Sequence, residues 1–259
     1  MSVIVVGDDG PSEIYIKNKL NKCKQVGIKF KKYVFSKSVE QQKILDLIYK
    51  LNEDDEVDAI LVQMPLPSQI DKFKVIESIN FKKDVDCFTS VNFGKAAIGV
   101  SNFWPCTASG IIHLLKKNKI KISGKKCVVV GRSNIVGKPV SMALLSNDGT
   151  VTTCHSKTEN LIDICKTADI LVSASGHAKI IKKNMVKKGC VVIDVGINRE
   201  NSKLCGDVDF ENVREIASYI TPVPGGVGPM TVAFLLKNTL TLFENKSRPS
   251  SWLENINFL

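Results

Sequence analysis

Tyr15 and Lys19 stand four residues apart in a segment patterned as a helix, which puts a phenol and an amine on one face. Alone, such a pair is an ordinary surface or rim feature, so its chemistry depends on partners. Gln63 ends the apolar run Ala59-Ile60-Leu61-Val62 just before Met64-Pro65-Leu66-Pro67, where the carboxyl edge of a sheet would expose its amide. Lys83-Asp84-Val85-Asp86 lies in an irregular stretch, the kind of place where function concentrates. An amine taken out of water against an aromatic ring loses basicity and can move protons near neutrality. A neutral amide can hold that amine without fixing its charge. A carboxylate can grip a guanidine-like ring edge through two hydrogen bonds.

A second group of residues reads as a phosphate cradle. Gly131-Arg132-Ser133-Asn134-Ile135-Val136-Gly137-Lys138-Pro139 follows the apolar run Cys127-Val128-Val129-Val130. Buried strand, glycine turn and helix start, in that order, present backbone N–H groups to a pyrophosphate. The spacing of Gly131 and Gly137 is not G-x-G-x-x-G, and two glycines in isolation would be a plain strand-to-helix turn. Context favours the nucleotide: Pro139 suits a first helical turn, and a strand–helix–strand rhythm follows. The next strand, Val151-Thr152-Thr153-Cys154, runs into His155-Ser156-Lys157-Thr158 with no carboxylate for a ribose 2′-hydroxyl. Arg132 can instead clamp a 2′-phosphate, so NADP is expected over NAD. Lys157 by itself is a solvated surface lysine.

The elements that must position these groups alternate between strand and helix, which argues for an α/β fold built on parallel sheets. Strands are expected at Ser2–Gly7, Ile28–Phe35 and Ala59–Gln63, with helices at Ser12–Val26, Val39–Leu51 and near Asp71–Ile79. An irregular stretch to Trp104 and a linking helix at Thr107–Lys117 follow. The second half has expected strands at Lys126–Val130, Thr150–Cys154, Ile170–Ala174, Val191–Val195 and Tyr219–Thr221, then a strong helix at Met230–Glu244 and a tail, Ser247–Leu259. The division predicted is 1–115 with 230–259 as an N-terminal α/β substrate domain, closed by a returning helix. Residues 116–229 form a Rossmann-like NADP-binding domain, with a cleft between the two.

The 259 residues carry ten more Lys and Arg than Asp and Glu, and 44% are hydrophobic. Lysines are spread throughout and only 7% of residues are aromatic, which disfavours nucleic acid as the partner and favours an anionic small molecule. No apolar run is long enough to span a bilayer, and the start lacks a basic leader. Eight scattered cysteines without a Cys-x-x-Cys pair, and three histidines, fit a reducing cytoplasmic setting without a metal site.

Eight collinear segments resemble one family. They are Ser12-x-x-Tyr15-x-x-x-Lys19, Val62–Pro67, Lys83–Asp86, Pro105-Cys106-Thr107, Gly131–Pro139, Asp194-Val195-Gly196-Ile197-Asn198, Gly206-Asp207-Val208 and Pro222-Val223-Pro224-Gly225-Gly226-Val227-Gly228-Pro229-Met230-Thr231. The chain is similar over nearly its whole length to the bifunctional methylenetetrahydrofolate dehydrogenase/methenyltetrahydrofolate cyclohydrolase family. The resemblance implies oxidation of 5,10-methylenetetrahydrofolate with NADP, then hydrolysis to 10-formyltetrahydrofolate, in one cleft. It implies Lys19 as proton shuttle or base, Gln63 as its holder, Tyr15 stacked on the folate, Asp86 on the pterin ring, and Ser12 supporting the pocket. It implies Gly131, Arg132, Ser133, Gly137, Ser156, Ile197 and Thr231 around NADP, and Pro224, Gly225 and Gly226 near the folate. A homodimer is expected on the same ground, with neither membrane nor nucleic acid as partner.

The family normally carries a further segment before the first strand, which keeps open a truncated homologue with only one or neither activity. Cys87 stands where glycine is usual, and Ala108-Ser109 where proline and a basic residue are usual. The Tyr15–Lys19 pair also has a counterpart in short-chain dehydrogenases, but there it follows the nucleotide-binding strands and here it precedes them. A basic nucleic-acid-binding protein is the remaining competitor, and steep salt dependence of duplex binding would mark it.

Overall fold

Ser2-Val3-Ile4-Val5-Val6 forms strand β1 (Ser2–Val6), and all five residues are buried. A central parallel strand is covered on both faces, so it reads as a continuous apolar run rather than an alternating one. Strands β2 (Lys31–Phe35) and β3 (Ile60–Val62) pair with it in parallel, in the order β2-β1-β3. The computed structural model describes residues 1–7, 10–200 and 203–246, and of residues 10–15, 17 and 18 only the course of the backbone. Helix α1 (Gly10–Gln25) follows β1, and α2 (Gln41–Glu53) buries Ile44, Leu45, Ile48 and Leu51 against the sheet's core cluster. The buried Lys83 closes the far end of α2, where its ammonium donates to the carbonyls of Leu51 (3.0 Å), Asn52 (2.7 Å) and Asp54 (2.8 Å). Helix C-termini leave such carbonyls without intrahelical partners, and a cation is the natural stop. Helix α3 (Lys72–Glu77) is capped by Asp71, whose carboxylate accepts from the N–H groups of Phe73 and Lys74.

The stretch before Trp104, expected to be irregular, holds helix α4 (Ser90–Ala97). Thr89 caps it, yet among its residues only Ala96 is buried and Gly94 sits in its middle, so no hydrophobic stripe announces it.

The second half contains α5 (Cys106–Lys117), β4 (Lys126–Val130), α6 (Gly137–Leu145), β5 (Thr150–Cys154), α7 (Leu161–Lys166), β6 (Ile170–Ser173) and β7 (Val191–Asp194). A hairpin of β8 (Asn198–Glu200) and β9 (Lys203–Cys205), α8 (Phe210–Val213), β10 (Tyr219–Ile220) and α9 (Val227–Lys246) complete it. Five of these strands form one parallel sheet in the order β10-β7-β6-β4-β5. The chain therefore steps from β4 to β5 on one side and returns to β6 on the other. That reversal makes the carboxyl end of β4 a topological switch point, where open α/β sheets bind ligands. The hairpin has no counterpart among the sequence expectations, since both strands are short and largely exposed.

Two compact units result, one of Met1–Phe103 with the chain from Leu235 on, the other of Trp104–Phe234. Helix α5 falls in the second unit, whereas a boundary at 115 would place it in the first. Its Ala108, Ile111 and Leu115 pack with Val129, Val140 and Leu144 in that unit's core, which fixes its allegiance. The tail Ser247–Leu259 lies outside the described residues. All eight cysteines are free thiols, seven of them buried and Cys205 partly exposed. No helix among the described residues is long and apolar enough to cross a membrane.

Candidate active site

In the first unit, Lys19 reaches into the carboxyl edge of the β2-β1-β3 sheet and is only 7% exposed. Its Nζ donates to Gln63 Oε1 at 3.1 Å. Gln63 is itself fixed twice. Its backbone N–H donates to Ile4 O at 2.9 Å, continuing the β1–β3 pairing, and its Nε2 donates to Met64 O at 2.7 Å. With the amide nitrogen committed to a carbonyl, the amide oxygen has to face the ammonium. The Met64–Pro65 peptide is cis.

The Lys-Asp-Val-Asp run divides into scaffold and site. Ile60 N–H donates to Lys83 O at 2.7 Å and Ile60 bridges Asp84 in parallel, so this run forms a further edge of the sheet. Lys83 is spent on α2, as above. Asp84 is 1% exposed and accepts from the N–H groups of Phe88 (3.2 Å) and Thr89 (2.9 Å), Thr89 Oγ1 (2.7 Å) and Asn92 Nδ2 (3.1 Å). Burial pushes its carboxyl up, against the pull of those donors. After Asp84 the chain turns, with Cys87 N–H donating to Asp84 O at 3.3 Å, and Asp86 lies within that turn. Asp86 is partly exposed and lines one depression with Val62, Met64 and Phe88. Cys87 adopts φ 59°, a left-handed conformation that glycine takes without cost, and its thiol donates to Phe103 O at 3.2 Å. Tyr15 and Ser12 fall on α1, but their side chains lie outside the described residues.

In the second unit both loop glycines are forced by close backbone approach. A Cβ on Gly131 would lie 2.1 Å from Ala174 O, and Gly131 has φ +126°; a Cβ on Gly137 would lie 2.2 Å from Gly131 O. The loop is thus folded back on itself at the end of β4. Gly131 N–H donates to Cys154 O at 2.8 Å, which carries the β4–β5 pairing one residue beyond the strands; Arg132 follows the end of β4 and Ser156 the end of β5. Both are exposed. An arginine and a hydroxyl that follow the carboxyl ends of two paired strands are donor groups that suit a phosphate.

One expectation changes in detail. The first N–H groups of α6 do not all point outward, because Ser133 takes them: its Oγ accepts from Val136 (3.2 Å) and Gly137 (3.3 Å), and its carbonyl from Lys138 (3.0 Å). Ser133 therefore shapes the cradle's turn as well as lying on its exposed side.

Ile197 leaves the end of β7 and is 61% exposed. Pro224 and Gly225 are exposed and Gly226 half-buried, on a turn with a cis Val223–Pro224 peptide and Gly225 at φ +112°. Thr231, on the first turns of α9, donates to Val227 O at 3.2 Å and stands 3.2 Å from Thr107 Oγ1. Sequence reasoning places Asp194 and Asp207 inside motifs without a role; both prove to be buried, at 3% and 0% exposure. Their neighbours Gly196 and Gly206 were the available signal, since an Asp close to a fixed glycine often anchors a turn.

A family model described as the tetrahydrofolate dehydrogenase/cyclohydrolase catalytic domain matches residues 1–86, and one described as that family's NAD(P)-binding domain matches residues 105–247. A bifunctional protein FolD from Acetivibrio thermocellus is 54% identical over 241 residues, covering 93% of this chain and 85% of the relative. The crystal structure of the bifunctional FolD dehydrogenase/cyclohydrolase from Campylobacter jejuni superposes with a TM-score of 0.91 at 46% identity, covering 95% of this chain and 88% of the other. That of the Trypanosoma brucei enzyme, complexed with NADP cofactor and inhibitor, gives 0.91 at 40% identity, covering 96% and 87%. Shikimate dehydrogenase from Thermus thermophilus, at 11% identity and a TM-score of 0.61, shares the fold alone.

Proposed function

The chain belongs to the tetrahydrofolate dehydrogenase/cyclohydrolase family, and we propose a division of labour between its two units that accounts for both of the family's reactions. It is an NADP-dependent methylenetetrahydrofolate dehydrogenase and methenyltetrahydrofolate cyclohydrolase. The first unit holds the folate: Asp86 grips the pterin edge, with Tyr15 stacked on the ring and Ser12 in support. The second unit holds NADP. Arg132 and Ser156 take the 2′-phosphate; the Gly131–Gly137 turn with Ser133 takes the pyrophosphate; Ile197 and Thr231 border the nicotinamide. Pro224, Gly225 and Gly226 offer backbone groups to the folate. NADP, when bound, supplies the acceptor for a hydride leaving the methylene carbon.

The resulting 5,10-methenyl carbon is cationic and needs water and proton traffic more than activation. Lys19 takes a proton from the attacking water. It then returns that proton to the ring nitrogen released as the C–N bond breaks, while the carbinol hydroxyl gives its proton to solvent as the formyl C=O forms, giving 10-formyltetrahydrofolate. Gln63 keeps the amine aimed through a neutral amide oxygen. The 3.1 Å Lys19–Gln63 contact is the observation that carries this assignment. A homodimer and a cytoplasmic location complete the proposal on the strength of the family resemblance.

The test is an absorbance assay with 5,10-methylenetetrahydrofolate and either NADP or NAD. The expected trace with NADP is formation of the methenyl compound followed by its decay. Arg132→Ala should raise the NADP Michaelis constant roughly tenfold to a hundredfold while moving that for NAD little, as expected for a lost charge-assisted contact. A trace that stays flat with both dinucleotides would reject the function. Equal effects of Arg132→Ala on both would reject the cofactor assignment.

A further inference from the structure

Two buried carboxylates of the dinucleotide unit have no part in the assignments above. Asp207 Oδ2 accepts from Ser173 Oγ (3.1 Å), Ser175 N–H (2.6 Å), Ser175 Oγ (2.9 Å) and Gly176 N–H (3.1 Å), and its Oδ1 accepts from Asn198 Nδ2 (2.9 Å). Asp194 accepts from the N–H groups of Gly196 (2.9 Å), Asp207 (2.9 Å) and Val208 (2.9 Å). Each carboxylate occupies the space where the other motif's glycine lacks a side chain. A Cβ on Gly196 would lie 2.1 Å from Asp207 Oδ1, and one on Gly206 1.8 Å from Asp194 Oδ2. The lock extends further. Asp194 N–H donates to Thr221 Oγ1 at 2.8 Å, and Thr221 Cβ would stand 2.8 Å from a Cβ on Gly226.

These contacts join the loop after β6, the loop after β7 that carries Ile197, and the turn that carries Gly225 and Gly226. All leave the carboxyl edge of one parallel sheet, the edge where such sheets bind ligands. A charged group buried this deeply is costly and persists where it fixes a geometry that apolar packing would leave loose. We propose that Asp207, backed by Asp194, is a positioning residue for hydride transfer: it ties the three loops into one rim so that Ile197 and the Gly225–Gly226 turn border the nicotinamide at a fixed separation. Asn198 is the strap between Asp207 and the Ile197 loop. The inference rests on the NADP assignment made above.

The experiment measures two activities separately in the full chain: dehydrogenase with methylenetetrahydrofolate and NADP, and cyclohydrolase with the methenyl compound supplied directly. Asn198→Ala cuts the strap without leaving a buried charge isolated, since Asp207 keeps its four other donors. It should lower dehydrogenase kcat roughly tenfold, a size that displaced reactants can produce, with cyclohydrolase within about twofold of the parent. Asp207→Ala should do the same more severely. Asp207→Asn should recover most of the loss, because an amide oxygen can receive Ser175 and Gly176 while the amide of Asn198 turns to accept. Parallel loss of both activities in Asn198→Ala, or unchanged dehydrogenase kcat and Michaelis constant, would overturn the proposal. Failure of Asp207→Asn to recover more than Asp207→Ala would overturn it too. If Asp207→Ala does not fold, Asn198→Ala and Asp207→Asn decide alone. Absence of dehydrogenase activity in the parent protein would reject the functional assignment rather than the positioning role.

Discussion

At the scale of single residues, the clearest separation is between groups that do chemistry and groups that hold them. Lys19 and Asp86 are the groups assigned to the substrate, whereas Lys83 and Asp84, in the same short run as Asp86, are consumed by the scaffold. Lys19→Met keeps the length and apolar contact of the side chain but removes the proton carrier. It should lower cyclohydrolase activity about a hundredfold or more while sparing much of the dehydrogenase, the usual scale for losing a general acid–base group. Hydrolysis of supplied methenyltetrahydrofolate, measured beside the dehydrogenase rate, checks this, and equal loss of both with the fold intact would contradict the separated role. Gln63 was legible as a sheet-edge residue because the Pro-Leu-Pro segment fixes where it emerges, whereas the spacing of Lys19 marked only a rim position, and its burial against Gln63 requires the folded sheet. The two aspartates of Lys-Asp-Val-Asp were not distinguishable by spacing, because only the bridge from Ile60 to Asp84 decides which carboxylate turns inward. Ser133 was legible as a loop residue, but its grip on the N–H groups of Val136 and Gly137 requires the folded turn.

At the scale of elements, glycine placement gives a sharp test. Gly131→Ala would drive a Cβ into Ala174 O at 2.1 Å, a backbone atom at the end of β6 that cannot swing away. The expected result is a loss of about 2 kcal/mol or more, read as a lower melting temperature, together with weakened NADP binding. Gly94 in α4 supplies the contrast, since a Cβ there would meet nothing within 4 Å and its φ is not left-handed. Gly94→Ala should therefore be neutral or stabilise by about 0.5–1 kcal/mol, as expected for a helix interior. Thermal melts of both variants decide it; similar losses in the two would mean that the contact at Gly131 is not what matters. The same contrast explains which elements could be read in advance. β4 and β5 match their expected ranges because each is a short run bounded by turns, with β4 apolar on both faces. α4 and the β8–β9 hairpin escaped because each presents almost nothing to a core, so no periodic pattern marks them.

At the scale of the whole molecule, the lock that orders the dinucleotide unit should make stability depend on pH. Burial raises the Asp194 carboxyl to about 6, and the nearby Asp207 adds to the rise. Between the ordinary aspartate value and about 6 the folded chain holds a proton that the unfolded chain has lost. Stability from this group is thus greatest at the acid end of that window and falls as pH rises through it, by about 3 kcal/mol in total. Asp84 is raised by burial as well and tilts stability in the same direction, so the trend will not vanish with one substitution. The excess melting temperature of the parent over Asp194→Asn should shrink as pH rises from about 4 to about 6.5. A constant difference would contradict the buried-carboxylate account. The division into two units was legible from the alternation of strands and helices, but the allegiance of α5 was not. Its apolar face carries no label of which core it joins, and contacts with Val129 and Val140 decide that only in three dimensions.

The seclusion of the cysteines turns them into a count of unfolding. Burial holds the thiols of Cys165 and Cys190 up near about 12, and Cys127 up to about 11, so little reactive thiolate exists while the fold persists. Ellman's reagent should colour rapidly with Cys205 alone in native protein and with all eight sulfurs in guanidinium. The slower appearance of the other seven then times the opening of each hydrophobic interior, without any attached dye or engineered probe.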